Sequence, residues 1–340
     1  MFNNHLMLFL MLPITILYRL LIFIRNLLYD KGVFPAKKAG CPVVSVGNIS
    51  VGGTGKTPFV IWLAEQFSSR NRNVGILTRG YGRDNKNPQT YIPSDKINDW
   101  RDSGDEPFLI HNRLGNVTLA VNANRLRGAS AAIDKGNCDL LILDDGFQHR
   151  KIHRDIDIVL FDDSDNLREK LLIPSGRLRE PLSSLRRADV LVYSGEEKDS
   201  ARLNKFLKNS CIVCGGKKTA DSLVNIHTGN EIEFSSLNNT NISAFCGIGN
   251  PEGFRSTLKS AEPKNLSFMA FSDHHLYRKS DLNKIRKQYL SSKSKFLVTT
   301  EKDSFKLPQN FYVELNVYFL RIKYDVTWGK ERLISLLMKN

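Results

Sequence analysis

Acidic residues are in short supply: 35 Asp and Glu face 49 Lys and Arg, a formal net charge of +14 over 340 residues. That imbalance predicts an anionic partner (phosphate, nucleic acid or a membrane surface) without choosing among them. Cysteine is scarce as well. Five scattered thiols make no disulfide framework, and a chain of this length buries enough core to need none. Cys211-x-x-Cys214 has the spacing of half a zinc site or of a redox pair, but no second CxxC or CxxH follows to complete four ligands. Ordinary thiols of a reduced compartment are expected. The mean hydropathy of −0.29 excludes a multi-span membrane protein. Internal repeats and low-complexity segments are lacking, and so is any RNP, helix-turn-helix or zinc pattern. A nucleic-acid partner would rest on charge alone and is not expected.

Residues 6–24 are almost all apolar and would form a helix ~28 Å long, close to the hydrocarbon thickness of a bilayer. Arg19 lies inside the run and Arg25 just beyond it. At 100° per residue, Thr15, Tyr18, Arg19, Arg25 and Asn26 gather in an arc of about 120°, with Ile22 the one apolar intruder. A broad greasy face with a narrow polar stripe suits a helix lying in the membrane interface better than one crossing it. No Lys or Arg precedes the run and no small-residue cleavage pattern follows, so a signal peptide is not expected. Residues 1–39 carry five cations against Asp30, which favours an anionic leaflet. Pro13 should kink the first turns or mark the helix start.

From Cys41 onward, strand and helix patterns alternate. Strands are expected at 43–46, 74–77, 117–121, 140–143, 156–161 and 190–193, with helices after the first glycine loop and near 105–113 and 123–135. Alternating β and α predicts an α/β fold of P-loop NTPase type, a mostly parallel sheet with helices on both faces. Runs 223–226 and 231–234 flank a His-Thr-Gly-Asn turn, a hairpin signal. The organisation expected is a membrane-associated helix with its basic flank (1–39), a P-loop core (40–215), a hairpin linker (216–240) and a smaller C-terminal α/β domain (241–340). In that last domain the strands are placed at 242–245, 266–271, 296–299 and 312–320, with helices from Pro251, at 279–290 and at 330–338.

The strongest local signal is Ser50-Val51-Gly52-Gly53-Thr54-Gly55-Lys56-Thr57, between a strand and a helix. Glycines let backbone N–H groups turn inward around an anion, and the helix start adds its positive dipole end. Lys56 would reach the β- and γ-phosphates of ATP, and the Thr57 hydroxyl would ligate Mg²⁺. Ser50 replaces the usual first glycine, and Val51 is not the lysine of the signature-lysine ATPases. Four aliphatics then carry Asp144 and Asp145 to a strand's C-terminal edge, where ligands sit in open α/β sheets. An acid there is a Walker B candidate for Mg²⁺.

The loop at 47–58, Thr-Arg-Gly-Tyr-Gly-Arg (78–83), Gly-Asp-Glu-Pro (104–107), Asp-Asp-Gly-Phe-Gln-His-Arg (144–150) and Pro-Ser-Gly-Arg-Leu-Arg-Glu-Pro (174–181) together resemble the tetraacyldisaccharide 4'-kinase family of lipid A synthesis. Residues 245–254, Phe-Ser-Asp-His-His-x-Tyr (271–277) and Thr-Thr-Glu-Lys-Asp (299–303) extend the resemblance in family order. It implies transfer of the γ-phosphoryl of ATP to the 4'-hydroxyl of an acylated glucosamine disaccharide 1-phosphate, giving lipid IVA, at the cytoplasmic face of a Gram-negative inner membrane. It further implies Asp105 as catalytic base with His274 as partner. Glu106, Asp144, Asp145 and Gln148 would arrange Mg²⁺ and nearby waters or phosphates, and Arg125 and Arg177 would hold the acceptor lipid. The oligomeric state stays open, with a monomer favoured.

A carboxylate beside a sugar hydroxyl can take its proton as the bond to phosphorus forms, and an imidazole can orient that carboxylate. Asp105 and His274 lie 169 residues apart, so two domains must close for them to meet. His275 is an alternative partner. Arg179, with Arg168, Lys170, Arg186 and Arg187, predicts a basic rim, and Arg70, Arg72, Arg79 and Arg83 a second cluster. Gly247-x-Gly249 resembles a dinucleotide fingerprint only loosely, because its third glycine, Gly253, falls one residue too far. Thr299–Asp303 reads equally as a base contact or a polar strand exit. The rival classes are a kinase of a soluble sugar or other small molecule and a membrane-tethered nucleotide switch. The greasy helix opposes the first and Val51 the second; a GTPase is weakened by the missing NKxD.

Overall fold

The structure, a computed structural model, describes residues 2–84, 86–162 and 171–339, with side chains from Met11 onward. Arg168 and Lys170 of the expected basic rim lie outside the described residues. The helices are α1 (Phe2–Asp30), α2 (Lys56–Ser68), α3 (Trp100–Ser103), α4 (Asp105–Leu114), α5 (Arg125–Gly136), α6 (Glu197–Ser200), α7 (Pro251–Lys259), α8 (Lys279–Ser291), α9 (Glu301–Ser304), α10 (Gln309–Leu315) and α11 (Lys330–Leu337).

A first run of parallel strands is built from β1 (Val43–Asn48), β2 (Val74–Thr78), β4 (Thr118–Val121), β5 (Leu140–Asp144), β6 (Ile156–Phe161) and β7 (Val190–Tyr193), edged by antiparallel β3 (Gln89–Tyr91). The rest are β8 (Ile212–Asn225), β9 (Glu231–Glu233), β10 (Asn241–Cys246), β11 (Asn265–Ala270), β12 (Phe296–Thr300) and β13 (Val317–Trp328). All thirteen join in one sheet, ordered β11-β10-β12-β13-β8-β7-β6-β1-β5-β2-β4-β3, with β9 beside β8. The aliphatic strands β1, β2, β4, β5, β6 and β7 are buried at every position, as parallel strands covered on both faces should be.

The centre of the sheet differs from the sequence expectation. β8 and β13 form a long antiparallel ribbon in which Tyr318 faces Asn225 at one end and Trp328 faces Gly215 at the other. The expected boundary at 215/216 therefore falls inside β8. The hairpin turn itself is present, with Leu223 opposite Ile232. Residues 312–315, expected as strand, end α10, and Asn316 in the left-handed region turns the chain into β13. The last helix packs on the first half of the sheet: Leu333 and Leu337 share a core with Val60 of α2 and Val192 of β7. The connecting ribbon carries the chain back there.

Helix α1 runs unbroken through Pro13. Most of its polar stripe meets the protein's own body, while Arg19 stays exposed. Thr15 Oγ1 lies 2.6 Å from Ser175 Oγ, Tyr18 donates to Arg179 O at 2.9 Å, and Asn26 Nδ2 donates to Glu180 at 2.9 Å. Ile22, the apolar residue in the polar arc, is buried in the same contact. Ile14, Ile16, Leu17, Leu20, Leu21, Phe23, Ile24 and Leu27 all point outward and exposed.

Candidate active site

Strand β1 ends in the glycine loop that starts α2. Gly55, at φ 88°, caps the helix, and Gly52 has φ 120°, both in the region that favours glycine. A Cβ on Gly52 would stand 2.2 Å from Arg177 Nη2, so a larger residue there would displace that guanidinium from the loop. The first-turn amides of Lys56 and Thr57 have no intrahelical partner, and Pro58 has no amide to satisfy. The loop is braced from outside. Val51 N–H donates to Arg177 O at 2.7 Å, the Arg177 guanidinium returns a bond to Val51 O at 3.1 Å, and Lys218 Nζ donates to Gly53 O at 2.7 Å. Asn48 Nδ2 donates to Thr54 Oγ1, and Gln148 Nε2 donates to Asn48 O, both at 2.9 Å.

The acids gather at the same sheet edge. Asp145, in the left-handed region at φ 51°, lies 3.4 Å from Lys56 Nζ and 2.8 Å from Arg179 Nη1. Burial raises its carboxyl, but Lys56 and Arg179 together hold it low. Asp144 is buried, with the Thr78 hydroxyl 3.4 Å away. Burial, then Glu106 and Asp145, push its carboxyl up to about 7 against the pull of Lys56 and Arg125. Arg125, the first residue of α5, is buried as well, which brings its guanidinium down to about 10 despite Asp144 and Asp145; it donates to Asn122 O at 2.6 Å.

Asp105 opens α4 and is 3% exposed. Its Oδ1 accepts the Glu106 amide at 2.9 Å, and its Oδ2 lies 2.8 Å from His274 Nδ1. The two residues separated by 169 positions do meet, across the two halves of the sheet. Burial works against the Asp105 charge, yet the His274 hydrogen bond and the Lys302 and Lys306 ammoniums hold it well below the usual carboxylate range. The same bond raises His274. His274 takes φ 56°, and the Tyr81 ring lies 5.4 Å from its own. His275 turns away, to Asp281 at 3.0 Å and a stack on Phe271. Glu106 is paired with Lys302, whose charge holds that carboxyl low.

Lys306 was not singled out from sequence. Lys306, 2% exposed at its side chain, lies 3.4 Å from Asp105 Oδ2 and 3.7 Å from Asp303 Oδ1. Asp303 Oδ2 accepts the Gly247 amide at 2.9 Å, so the Gly247 turn packs against the Thr299–Asp303 segment. The available signal was Lys-x-x-x-Lys one helical turn apart just past a strand's C-terminal end. Arg83 of the second arginine cluster is buried and donates to Val121 O at 3.2 Å; Arg72 pairs with Asp139 at 3.0 Å.

Among the described residues no three His, Cys, Asp or Glu side chains converge as a ready metal cage, and the five cysteines are free thiols. A small hard cation that keeps waters and draws ligands from phosphates still fits here. Thr57, Asp144, Asp145 and Glu106 are all oxygen donors, and the negative charge of Glu106 and Asp145 that adds to burial in raising Asp144 is what a divalent cation would offset.

The family model for tetraacyldisaccharide-1-P 4'-kinase matches residues 7–340. The tetraacyldisaccharide 4'-kinase of Aquifex aeolicus is 37% identical over 97% of this chain and 98% of its own length. That of Syntrophus aciditrophicus is 34% identical over 96% and 92%. The crystal structure of LpxK from Aquifex aeolicus in complex with ATP superposes with a TM-score of 0.78 at 34% identity, covering 98% of this chain and 99% of that one. With the whole length matched, and the sheet with it, the chain belongs to the tetraacyldisaccharide-1-P 4'-kinase family.

Proposed function

We propose that this chain carries out the ATP-dependent 4'-kinase step of lipid A biosynthesis, moving the γ-phosphoryl of ATP to the 4'-hydroxyl of a tetraacyldisaccharide 1-phosphate to give lipid IVA. The observation that carries the lipid reading is segment 175–180. One side of it holds α1 through Ser175, the Arg179 carbonyl and Glu180; the other side sends Arg177 onto the phosphate loop and Arg179 onto Asp145. A greasy helix and a phosphate-binding loop are thereby joined through half a dozen residues.

In this reading α1 lies in the cytoplasmic leaflet with its outward face among acyl chains. Eight exposed Ile, Leu and Phe side chains would contribute on the order of 10 kcal/mol of burial. The acceptor reaches the site along that face, with Arg125 and Arg177 as its anion contacts. The loop amides and Lys56 hold the ATP phosphates. Asp105, kept ionised, accepts the 4'-hydroxyl proton, and His274 orients it. Mg²⁺, held by Thr57 and by Asp144 and Asp145, with Glu106 and Gln148 ordering the waters around it, would supply charge neutralisation at the phosphates. The two halves of the sheet act as separate bodies that close when His274 reaches Asp105.

The test is incubation with Mg-ATP and the disaccharide 1-phosphate lipid, with the bis-phosphate read by mass spectrometry. No product would sink the reading. A deacylated acceptor phosphorylated as well as the lipid would reduce it to a general sugar kinase.

A further inference from the structure

The ammonium of Lys306 is enclosed on one side by Asp105 and on the other by Asp303, and lies 5.8 Å from the centre of the Trp100 ring. A lysine buried to this degree has to be paired, and here it has two carboxylates from different parts of the sheet. Asp303 does more than balance charge. Its Oδ2 accepts the Gly247 amide at 2.9 Å and the Thr300 hydroxyl at 2.6 Å. Gly247 in turn presents its carbonyl to the His274 amide at 3.0 Å. Two arms therefore run from Asp303 to one carboxylate. The first passes through Gly247 to His274 and reaches Asp105 Oδ2 at 2.8 Å; the second passes through Lys306 and reaches the same oxygen at 3.4 Å.

We propose that Lys306 is a positioning residue for the phosphoryl transfer: anchored by Asp303, it fixes the Asp105 carboxylate in the orientation from which it meets the acceptor hydroxyl. The Glu106 amide on Oδ1 and the His274 imidazole on Oδ2 set the plane of the carboxylate. The Lys306 ammonium, an ion pair 3.4 Å from Oδ2, adds a fixed positive charge on that side that opposes rotation of the carboxylate out of this orientation. Because Asp303 anchors both arms, the base is assembled only when the second half of the sheet is docked. The ATP phosphates are held elsewhere, by the loop and Lys56, so Lys306 belongs to the rate and not to nucleotide affinity. The inference rests on Asp105 being the base.

The experiment is a kinetic cycle on the full-length enzyme with Asp105→Asn, Lys306→Met and the pair combined. Lys306→Met is expected to lower kcat at least tenfold with the KM for ATP within twofold of the parent, and to cost nothing further in the Asp105→Asn background. A loss that multiplies in that background overturns the inference, because Lys306 would then act independently of Asp105. If Asp105→Asn itself keeps its kcat, the base assignment fails instead, and the two failures are told apart. Loss of fold is controlled with Lys306→Met/Asp303→Asn, which leaves no unpaired buried carboxylate at 303. Recovery of melting temperature with kcat still depressed supports positioning. Recovery of both shows that the lysine only balanced Asp303, and overturns it.

Discussion

Asp105 combines three circumstances rarely found on one carboxylate. It is the first residue of a helix, where the dipole favours negative charge. It is almost wholly buried, and cations from the other half of the sheet hold it ionised. Ionised at neutral pH, it is free to take a proton in the proposed reaction, and the cations that keep it ionised also lower its basicity. Asp105→Asn should therefore reduce kcat by about 10²–10⁴-fold. His274→Ala should cost less, since the carboxylate survives its loss; steady-state kinetics with saturating Mg-ATP decides, and kcat near wild type for both variants would remove the pair from the reaction. None of this juxtaposition follows from spacing. Gly-Asp-Glu-Pro alone reads as a helix start, and His274 was matched to Asp105 by family resemblance. Lys306 stands on a short polar segment four residues after Lys302, a pattern equally compatible with a solvated face. Only the docking of one half of the sheet on the other makes it interior.

At the scale of elements, the parallel strands were legible to within a residue or two because burial on both faces leaves unbroken aliphatic runs such as 140–143. The ribbon of β8 and β13 was not. Its strands carry Lys217, Lys218, Lys323 and Asp325, since much of its surface is only half covered, and their pairing is set by partners about a hundred residues away. Helix α1 shows a different limit. Its polar arc was read correctly as an arc, but an arc does not say whether water or protein lies beneath it. Glu180 supplies the answer. Its side chain is 0% exposed and pairs with Arg187 at 2.9 Å and Arg25 at 3.3 Å. Breaking a buried pair leaves its partners uncompensated, so Glu180→Gln should cost about 3–5 kcal/mol and loosen α1. Burial raises this carboxyl, but Arg187, Asn26 and Arg25 bring it below its ordinary value. A depressed carboxyl stabilises above its unfolded pKa of roughly 4.3 and loses that contribution as the pH falls. The melting-temperature lead of the parent over Glu180→Gln should accordingly be full at pH 7 and shrink below about pH 4.5. A lead that persists to pH 3 would show that the carboxylate charge is not what holds the helix.

For the whole molecule, one continuous sheet carries both the phosphate loop and the His274 segment, and a group of charged contacts joins its two halves close to Asp105. Besides His274 and Lys306 on Asp105 and Lys302 on Glu106, Arg113 at the end of α4 forms a two-pronged pair with Glu301 and donates to Ile322 O at 3.2 Å. Planar two-point pairing fixes orientation as well as distance, which lysine cannot do. The pair is mostly buried and lies on the helix that carries Asp105, so it sets the angle at which α9 meets α4. If the bodies must close for each turnover, this link stabilises the closed form, and its loss is felt only through closure. Arg113→Ala and Glu301→Ala should then each lower kcat/KM for ATP by about tenfold, corresponding to roughly 1.4 kcal/mol of coupling. Combining them should cost no more than either alone, because the second change removes a partner already stranded. Hydrogen exchange on α4 and α9 should rise in step with the kinetic loss. Losses that multiply, or exchange that stays at the parent rate while kcat/KM falls, would mean that Arg113 contributes by some route other than holding the bodies together.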